Sequence, residues 1–421
     1  MSEVPPAPVS RRHVVAAVAG NALEFYDFTA YTFFAIQIGQ SFFPSKSSFV
    51  SLMLSLGTFG AGFLGRPIGG LVIGAYADRR GRRPAMVLSF LLMGVGILAL
   101  ALTPSYAAIG IAAPIIVIAA RVIQGFALGG QVGPATAYLL EASAPATRGF
   151  YTTLQYASQG LAALVGGLVA VALASALSEA HLASYGWRIA FLLGAVVLPF
   201  GFAMQRALPE TLVTVVTDSA PRESIRDHLR TAILGITMLG SGTIAVYTMY
   251  YLPTFAQSEL HMRASVASAT GVVFGFCNLA FSLLSGWLSD RIGRKPVMIW
   301  PRVVLTIAIV PLFVWLVADP TGSVLLTLTA IVAALATFSS GASLVAIAEM
   351  LPASLRSGML GTIYAVAIAF FGGSAQLVEA WLVKLTGSVM APAWYLTVAT
   401  AIGLVAMFFA PETAPVKAKA P

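Results

Sequence analysis

Gly74-Ala-Tyr-Ala-Asp-Arg-Arg-Gly-Arg-Arg-Pro84 returns 286 − 74 = 212 residues later as Gly286-Trp-Leu-Ser-Asp-Arg-Ile-Gly-Arg-Lys-Pro296. Both copies fit Gly-x-x-x-Asp-Arg-x-Gly-Arg-(Arg/Lys)-Pro, and the offset is half of the 421-residue chain. Each copy closes one long apolar segment and opens the next. The chain therefore reads as a duplicated bundle of membrane helices, each half repeating a charged hairpin between its second and third helices. Two further echoes agree. Glu141 to Arg148 recurs as Glu349 to Arg356, and Pro209-Glu-Thr211 recurs as Pro411-Glu-Thr413.

Composition makes the bilayer the solvent. The chain is 58% hydrophobic and 10% charged, with mean hydropathy +0.88. Soluble domains carry about 25% charged residues. A spanning helix needs about 20 apolar residues, which leaves room for twelve. The fold class expected is an all-α membrane protein with twelve transmembrane helices in two pseudo-symmetric six-helix halves. Helices are predicted over 13–43, 49–77, 84–103, 110–140, 150–177 and 186–208, then over 229–257, 265–288, 296–317, 322–348, 357–384 and 391–411. The domains follow: tail 1–12, first half 13–208, polar linker 209–228, second half 229–411 and tail 412–421. Met1–Arg12 is polar and Pro-rich, so no cleavable leader is expected. The lone Cys277 excludes an internal disulfide.

The net charge of +8 follows from topology rather than from nucleic-acid binding. Of the 24 lysines and arginines, seventeen fall on the side that receives both termini and four on the other (Lys46, Arg188, Arg263, Lys384). Three, Arg66, Arg121 and Arg302, lie inside helices. The bias predicts cytoplasmic termini in a multi-pass protein of the cytoplasmic (inner) membrane. Small residues recur every fourth position at Gly57, Ala61, Gly65 and Gly69 of helix 2, and at Gly361, Ala365, Ala369 and Gly373 of helix 11. Such stripes allow close backbone approach. They either pack statically or form the contact across which the halves rock.

Charges inside the bilayer mark the candidate site, since each costs about 2.5–3.5 kcal/mol on insertion scales. Helix 1 carries Asn21, Glu24, Asp27 and Tyr31. Glu24 and Asp27 lie roughly 16 and 21 Å deep at about 1.5 Å per residue, near the midplane. Two acids so close do not both ionise readily. Each is either a proton carrier or a permanent partner of a buried arginine. Arg66 lies at the depth of Glu24, and Arg121 at or just above the midplane. These arginines either grip an anionic substrate or pair with the helix-1 acids. Gln124, Gln155 and Gln159 face the same cavity. Arg302 is expected to snorkel to the headgroups, and Glu379 to lie near the outer surface. The hairpin residues Asp78, Arg82, Arg148, Asp290, Arg294 and Arg356 are expected to form ion pairs that latch the cytoplasmic side shut. The four histidines (13, 181, 228, 261) are scattered. No metal-spaced cluster and no Ser/His/Asp set is present, so neither an enzyme nor a cofactor is expected.

The duplicated hairpin resembles the loop signature of the major facilitator superfamily of transporters. Asn21-Ala-Leu-Glu-Phe-Tyr-Asp-Phe28, Phe63-Leu-Gly-Arg-Pro-Ile-Gly-Gly70, Arg121-Val-Ile-Gln-Gly-Phe126 and Tyr185-Gly-Trp-Arg-Ile-Ala-Phe191 are similar to its metabolite–proton symporters. Ala112-Ala-Pro114, Gly149-Phe-Tyr-Thr152 and Val383-Lys-Leu-Thr-Gly387 are more loosely similar to the citrate and tricarballylate carriers. Gln131 stands where those carriers commonly have an acid. The resemblance implies facing helices 2 and 11, and a monomeric, proton-coupled symporter of a small anionic metabolite working by alternating access. Citrate or tricarballylate is the expected substrate; a dicarboxylate, or a zwitterion such as proline or betaine, is the alternative. Arg66, Arg121, Gln124, Tyr31, Gln155 and Gln159 would bind the substrate, and Asp27 with Glu24 would carry the proton.

Overall fold

A computed structural model describes residues 11–80, 82–129, 136, 139–140, 143–200, 203, 228–352 and 355–417. The predicted linker lies almost wholly outside these residues, as does Gln131. The side chains of Asp78 and Arg82 are likewise outside the description.

The described residues form twelve helical spans. Helix 1 is Arg11–Phe33 continued by Ala35–Phe42, helix 2 Ser48–Arg80, helix 3 Arg82–Leu102, helix 4 Ala112–Leu128 and helix 5 Arg148–Ala176. Helix 6 is built on Trp187–Gly194 and helix 7 is Leu229–Ser258. Helix 8 is Ala264–Ile292, helix 9 Arg294–Ala318, helix 10 Gly322–Met350 and helix 12 Ala391–Phe409. Helix 11 runs as Arg356–Ala367 and Gly373–Thr386, joined by a π turn at Ile368–Gly372. Among the described residues nine helices are long and apolar enough to span a bilayer, and Val87–Leu102 and Ala112–Leu128 are shorter apolar helices. The twelfth, helix 1, is the one whose apolarity Asn21, Glu24 and Asp27 dilute.

The repeated hairpin motif has a backbone explanation. Gly293 takes φ +104° between helices 8 and 9, a conformation that L side chains rarely adopt. The first N–H groups of a helix have no partner within it. Here the Glu412 carboxylate accepts from the N–H of Arg294 (2.8 Å) and of Lys295 (3.0 Å). Pro296, next in line, has no N–H to satisfy.

The halves meet along helices 5 and 8, with smaller contacts between helices 2 and 11 and between helices 1 and 7. A Cβ on Gly275 of helix 8 would stand 2.1 Å from the Leu164 backbone nitrogen of helix 5. Of the two readings of the helix-2 stripe, Gly65 and Gly69 follow static packing. They press on Val122 and Phe126 of helix 4, within the same half. Gly60 and Phe63, on another side of the helix, reach Gly373 of helix 11. An every-fourth-residue stripe defines one face, and that face is spent on the neighbour inside the half. Gly57, at the head of the stripe, has open space around it.

Two outcomes are expected. Gly275→Ala should lower stability by about 1–3 kcal/mol, the usual cost of overpacking, and Gly57→Ala should not. Equal melting temperatures in detergent for the two variants would refute the close 5–8 packing. Burial opposes ionisation of Glu412, but the N–H donors of Ala414, Arg294 and Lys295 and the Lys417 charge outweigh it and hold its pKa below the usual value. A depressed carboxyl stabilises above the unfolded-chain value, about 4.3, and the gain is lost as pH falls through the folded value. Glu412→Gln should therefore melt earlier than wild type at neutral pH, with the two melting curves converging in acid.

Candidate functional site

Helix 1 presents Asp27, Phe28 and Tyr31 to helix 4, which presents Arg121 and Gln124 three residues apart. The Asp27 carboxylate accepts from Arg121 Nη1 at 2.8 Å and from Gln124 Nε2 at 3.3 Å. Arg121 Nη1 also donates to Gln124 Oε1 at 2.6 Å. All three side chains are fully buried. Breaking such a pair by removing one partner is costly, because the other charge is left uncompensated. Sequence reasoning placed both residues near the midplane; the structure selects Arg121, not Arg66, as the partner of Asp27.

Aromatic rings complete the site. The Arg121 guanidinium carbon lies 4.5 Å from the Phe28 ring centroid, 4.6 Å from Tyr31 and 5.3 Å from Phe59. Arg66 lies 4.2 Å from Phe63 and 4.7 Å from Phe28, so one ring serves both arginines. Cation–π contacts partly replace lost hydration. They leave N–H edges unused. Nε and Nη2 of both Arg66 and Arg121 are buried without a hydrogen-bond partner. Arg66 also feels the charges of Glu24 and Arg121. Buried donors normally have partners, so these two aligned cations are equipped to receive an anion with several oxygens.

Other expected residues are distributed around this centre. Tyr31 stacks on Arg121 and donates its hydroxyl to Ser55 O at 3.1 Å. Gln155 Nε2 donates to Asn21 Oδ1 at 3.0 Å, tying helix 5 to helix 1. Gln159 Nε2 reaches Tyr364 OH on helix 11 at 3.4 Å, joining the halves. Phe28, Phe59, Phe63 and Tyr364 were missed by sequence reasoning. In a chain with 25 phenylalanines and 13 tyrosines they carry no distinguishing signal.

Two buried groups overturn expectation. Arg302 does not snorkel. It is fully buried and donates to the hydroxyls of Ser339 (3.1 Å), Ser340 (3.2 Å) and Ser241 (3.4 Å). Three serines on two neighbouring helices supply the acceptors that headgroups would otherwise provide. Glu379 does not lie at the surface; it is fully buried against Thr248 of helix 7.

At the end of the bundle that carries the 8–9 hairpin, the three echoes of the second half form one cluster. Arg294 binds Asp290 (2.8 Å) and, in fork geometry, Glu349 (2.9 and 3.0 Å). Glu349 also accepts from Thr413 at 2.7 Å. The crossing between halves is made by Asp290, whose carboxylate accepts from the N–H groups of Gly149 (2.8 Å) and Phe150 (3.0 Å) at the start of helix 5. The helix N-terminus, with free N–H groups and positive dipole, replaces the arginine expected there. Arg294 makes its side-chain hydrogen bonds within its own half, with Nη1 packed against Gly149 of helix 5. Arg356 donates to the carbonyls of Ala348 (2.9 Å) and Leu351 (3.2 Å) beside it. Arg148, at the first residue of helix 5, leaves Nε without a hydrogen-bond partner. Among the described residues no His/Cys/Asp/Glu group could hold a metal ion.

Comparison with known proteins agrees with this architecture. Residues 17–277 match the family model for the Major Facilitator Superfamily, and residues 222–419 match that for the sugar (and other) transporters. The chain is 35% identical to a citrate-proton symporter of Salmonella typhi, covering 93% of this chain and 92% of that protein. It is 34% identical to the alpha-ketoglutarate permease of Escherichia coli K12, covering 91% and 90%. The crystal structure of a D-xylose-proton symporter superposes with TM-score 0.76 at 20% identity, covering 97% of this chain and 99% of that one. The chain is a transporter rather than an enzyme, and it belongs to the Major Facilitator Superfamily, within its metabolite–proton symporters.

Proposed function

We infer that this multi-pass membrane protein is a proton-coupled symporter that imports a small carboxylate, citrate or tricarballylate first, by alternating access. The observation that carries the reading is the pair of buried arginines with unused N–H edges on a shared aromatic floor, one of them held by Asp27. The carboxylate named for the citrate-proton relative suits such a site, and so does that named for the alpha-ketoglutarate relative. The bias of basic residues supports a cytoplasmic-membrane location with both termini inside.

The mechanism follows from competition for Arg121. Ionised Asp27 occupies Nη1. A proton on Asp27 cancels that attraction and releases the guanidinium to a substrate carboxylate, while Arg66 takes a second. Tyr31 and Gln124 orient the bound anion, and Gln159, bonded to Tyr364, reports it to the second half. Loss of the proton to the cytoplasm lets Asp27 recapture Arg121 and expel the anion. Glu24 tunes Arg66. Asp290 at the helix-5 N-terminus latches the cytoplasmic end, with Arg294 holding it in place. Opening inward breaks its two backbone hydrogen bonds.

Citrate should raise the melting temperature of the purified protein, more at acid than at alkaline pH, whereas betaine should not. Arg121→Lys should weaken this binding by tenfold or more, because one lost charged hydrogen bond is worth about 1.5–3 kcal/mol. Stabilisation by betaine or proline alone would overturn the carboxylate reading. Asp27→Asn should abolish pH-driven uptake yet retain exchange of labelled for unlabelled substrate. For the latch, Asp290→Asn should increase labelling of a cysteine introduced in the central site from the cytoplasmic face; unchanged labelling would refute it.

A further inference from the structure

The second half holds an acid that the mechanism above leaves unused. Glu379, on helix 11, is wholly buried, and among the described residues its hydrogen-bond partner is the Thr248 hydroxyl of helix 7. Among the described residues no cation lies within ion-pair distance of it. Tyr251 of helix 7 and Tyr395 of helix 12 are close enough to interact with it electrostatically. Helix 2, which packs on helix 11, carries Arg66, and Lys384, five residues beyond Glu379 on helix 11, has its ammonium 5.8 Å from the helix-2 Phe49 ring.

Thr248 Oγ1 lies 2.9 Å from Ile244 O and also contacts Glu379 Oε1. Its single hydroxyl hydrogen can serve only one of these two acceptors. Both contacts are hydrogen bonds together only if the Glu379 carboxyl carries a proton and donates it to Thr248; an ionised Glu379 takes the Thr248 hydrogen away from Ile244. An uncompensated carboxylate in a low-dielectric interior neutralises itself by taking up a proton.

The acid is also connected. Gln376, one turn earlier on the same helix face, has neither amide atom hydrogen-bonded, and Glu379 Oε2 and Tyr251 OH are likewise without hydrogen-bond partners. One turn before Gln376, a Cβ on Gly372 would touch the Tyr247 ring at 3.0 Å. Tyr247 packs 5.6 Å from Phe63, the ring beneath Arg66. A seam of buried polar atoms between helices 7 and 11 thus runs from the arginine site to Glu379, about 10 Å along the helix at about 1.5 Å per residue.

We propose that Glu379 is a second proton-binding site, in the half opposite Asp27, which loads and releases a proton during the transport cycle. Only its O–H bond is made and broken. The proton arrives from and departs to water on alternate faces. On release, the Thr248 hydroxyl turns from Ile244 to the carboxylate and becomes the donor. This rests on the proton-symport reading, and a second proton suits a substrate with more than one negative charge.

The test measures protons taken up per citrate in proteoliposomes of wild type, Glu379→Gln and Glu379→Asp, with infrared difference spectra across a pH titration. The expected result is one proton fewer per citrate in Glu379→Gln, with the ratio restored in Glu379→Asp. A protonated-carboxyl C=O band should also titrate in wild type and vanish in Glu379→Gln. An unchanged ratio and an unchanged band overturn the proposal. Citrate uptake without any proton in wild type would sink the symport reading instead, and the band would still report on Glu379. If Glu379→Gln does not fold, Thr248→Val serves: it should shift the pH at which the band titrates, and a band that titrates at the same pH overturns the proposal.

Discussion

An arginine cannot shed its charge, so a guanidinium in the hydrocarbon layer must be given partners. Arg121 and Arg66 impose that demand side by side. Asp27 and Gln124 answer it on one edge of Arg121, and Phe28, Tyr31, Phe59 and Phe63 answer it on the faces. The surrounding backbone is arranged to make this possible. A Cβ on Gly129 would stand 1.9 Å from the Arg66 carbonyl, and one on Gly62 would stand 3.0 Å from that of Arg121. The close approach of helices 2 and 4 is therefore what brings two cations over one phenylalanine ring. Donor edges of both guanidiniums, Nε and Nη2, are left without hydrogen-bond partners, and the proposed substrate site is built on them.

The two halves share a fold but not an electrostatic design. The first half sets two arginines against helix-1 acids. In the second half Arg302 sits among serines and Glu379 beside a threonine. Arg302 and Glu379 do not meet: their partners on helix 7, Ser241 and Thr248, lie seven residues apart, about 10 Å at about 1.5 Å per residue. Chemistry thus diverged where architecture was duplicated. Conserving helix packing needs only small residues and apolar faces, whereas a charge is tolerated wherever neighbours can supply hydrogen bonds.

The hairpin end shows how one rule explains several motifs. Asp290, Arg294, Glu349, Glu412 and Thr413 come from three separate repeats in the sequence, yet they form one hydrogen-bonded network. Each acid there satisfies free helix N–H groups, an arginine, or both. Asp290 hydrogen-bonds across the halves, so the network's geometry in one half is coupled to the start of helix 5 in the other.

The sequence by itself determined the solvent, the number of spans, the duplication and which helices carry buried charges. These depend on composition and on spacing along the chain, which are one-dimensional properties. Glu24, Asp27, Arg66 and Arg121 could be found because a charge in an apolar run is conspicuous. Which charges pair could not be read, because helices 1, 2 and 4 bring several candidates to similar depth and only their rotation about their own axes chooses. The same rotation sends Gly65 and Gly69 to helix 4 rather than helix 11, turns Arg302 inward to its serines and hides Glu379 from the surface. The aromatic floor was invisible for a different reason: phenylalanine is ordinary in a membrane helix until a guanidinium lies over its face.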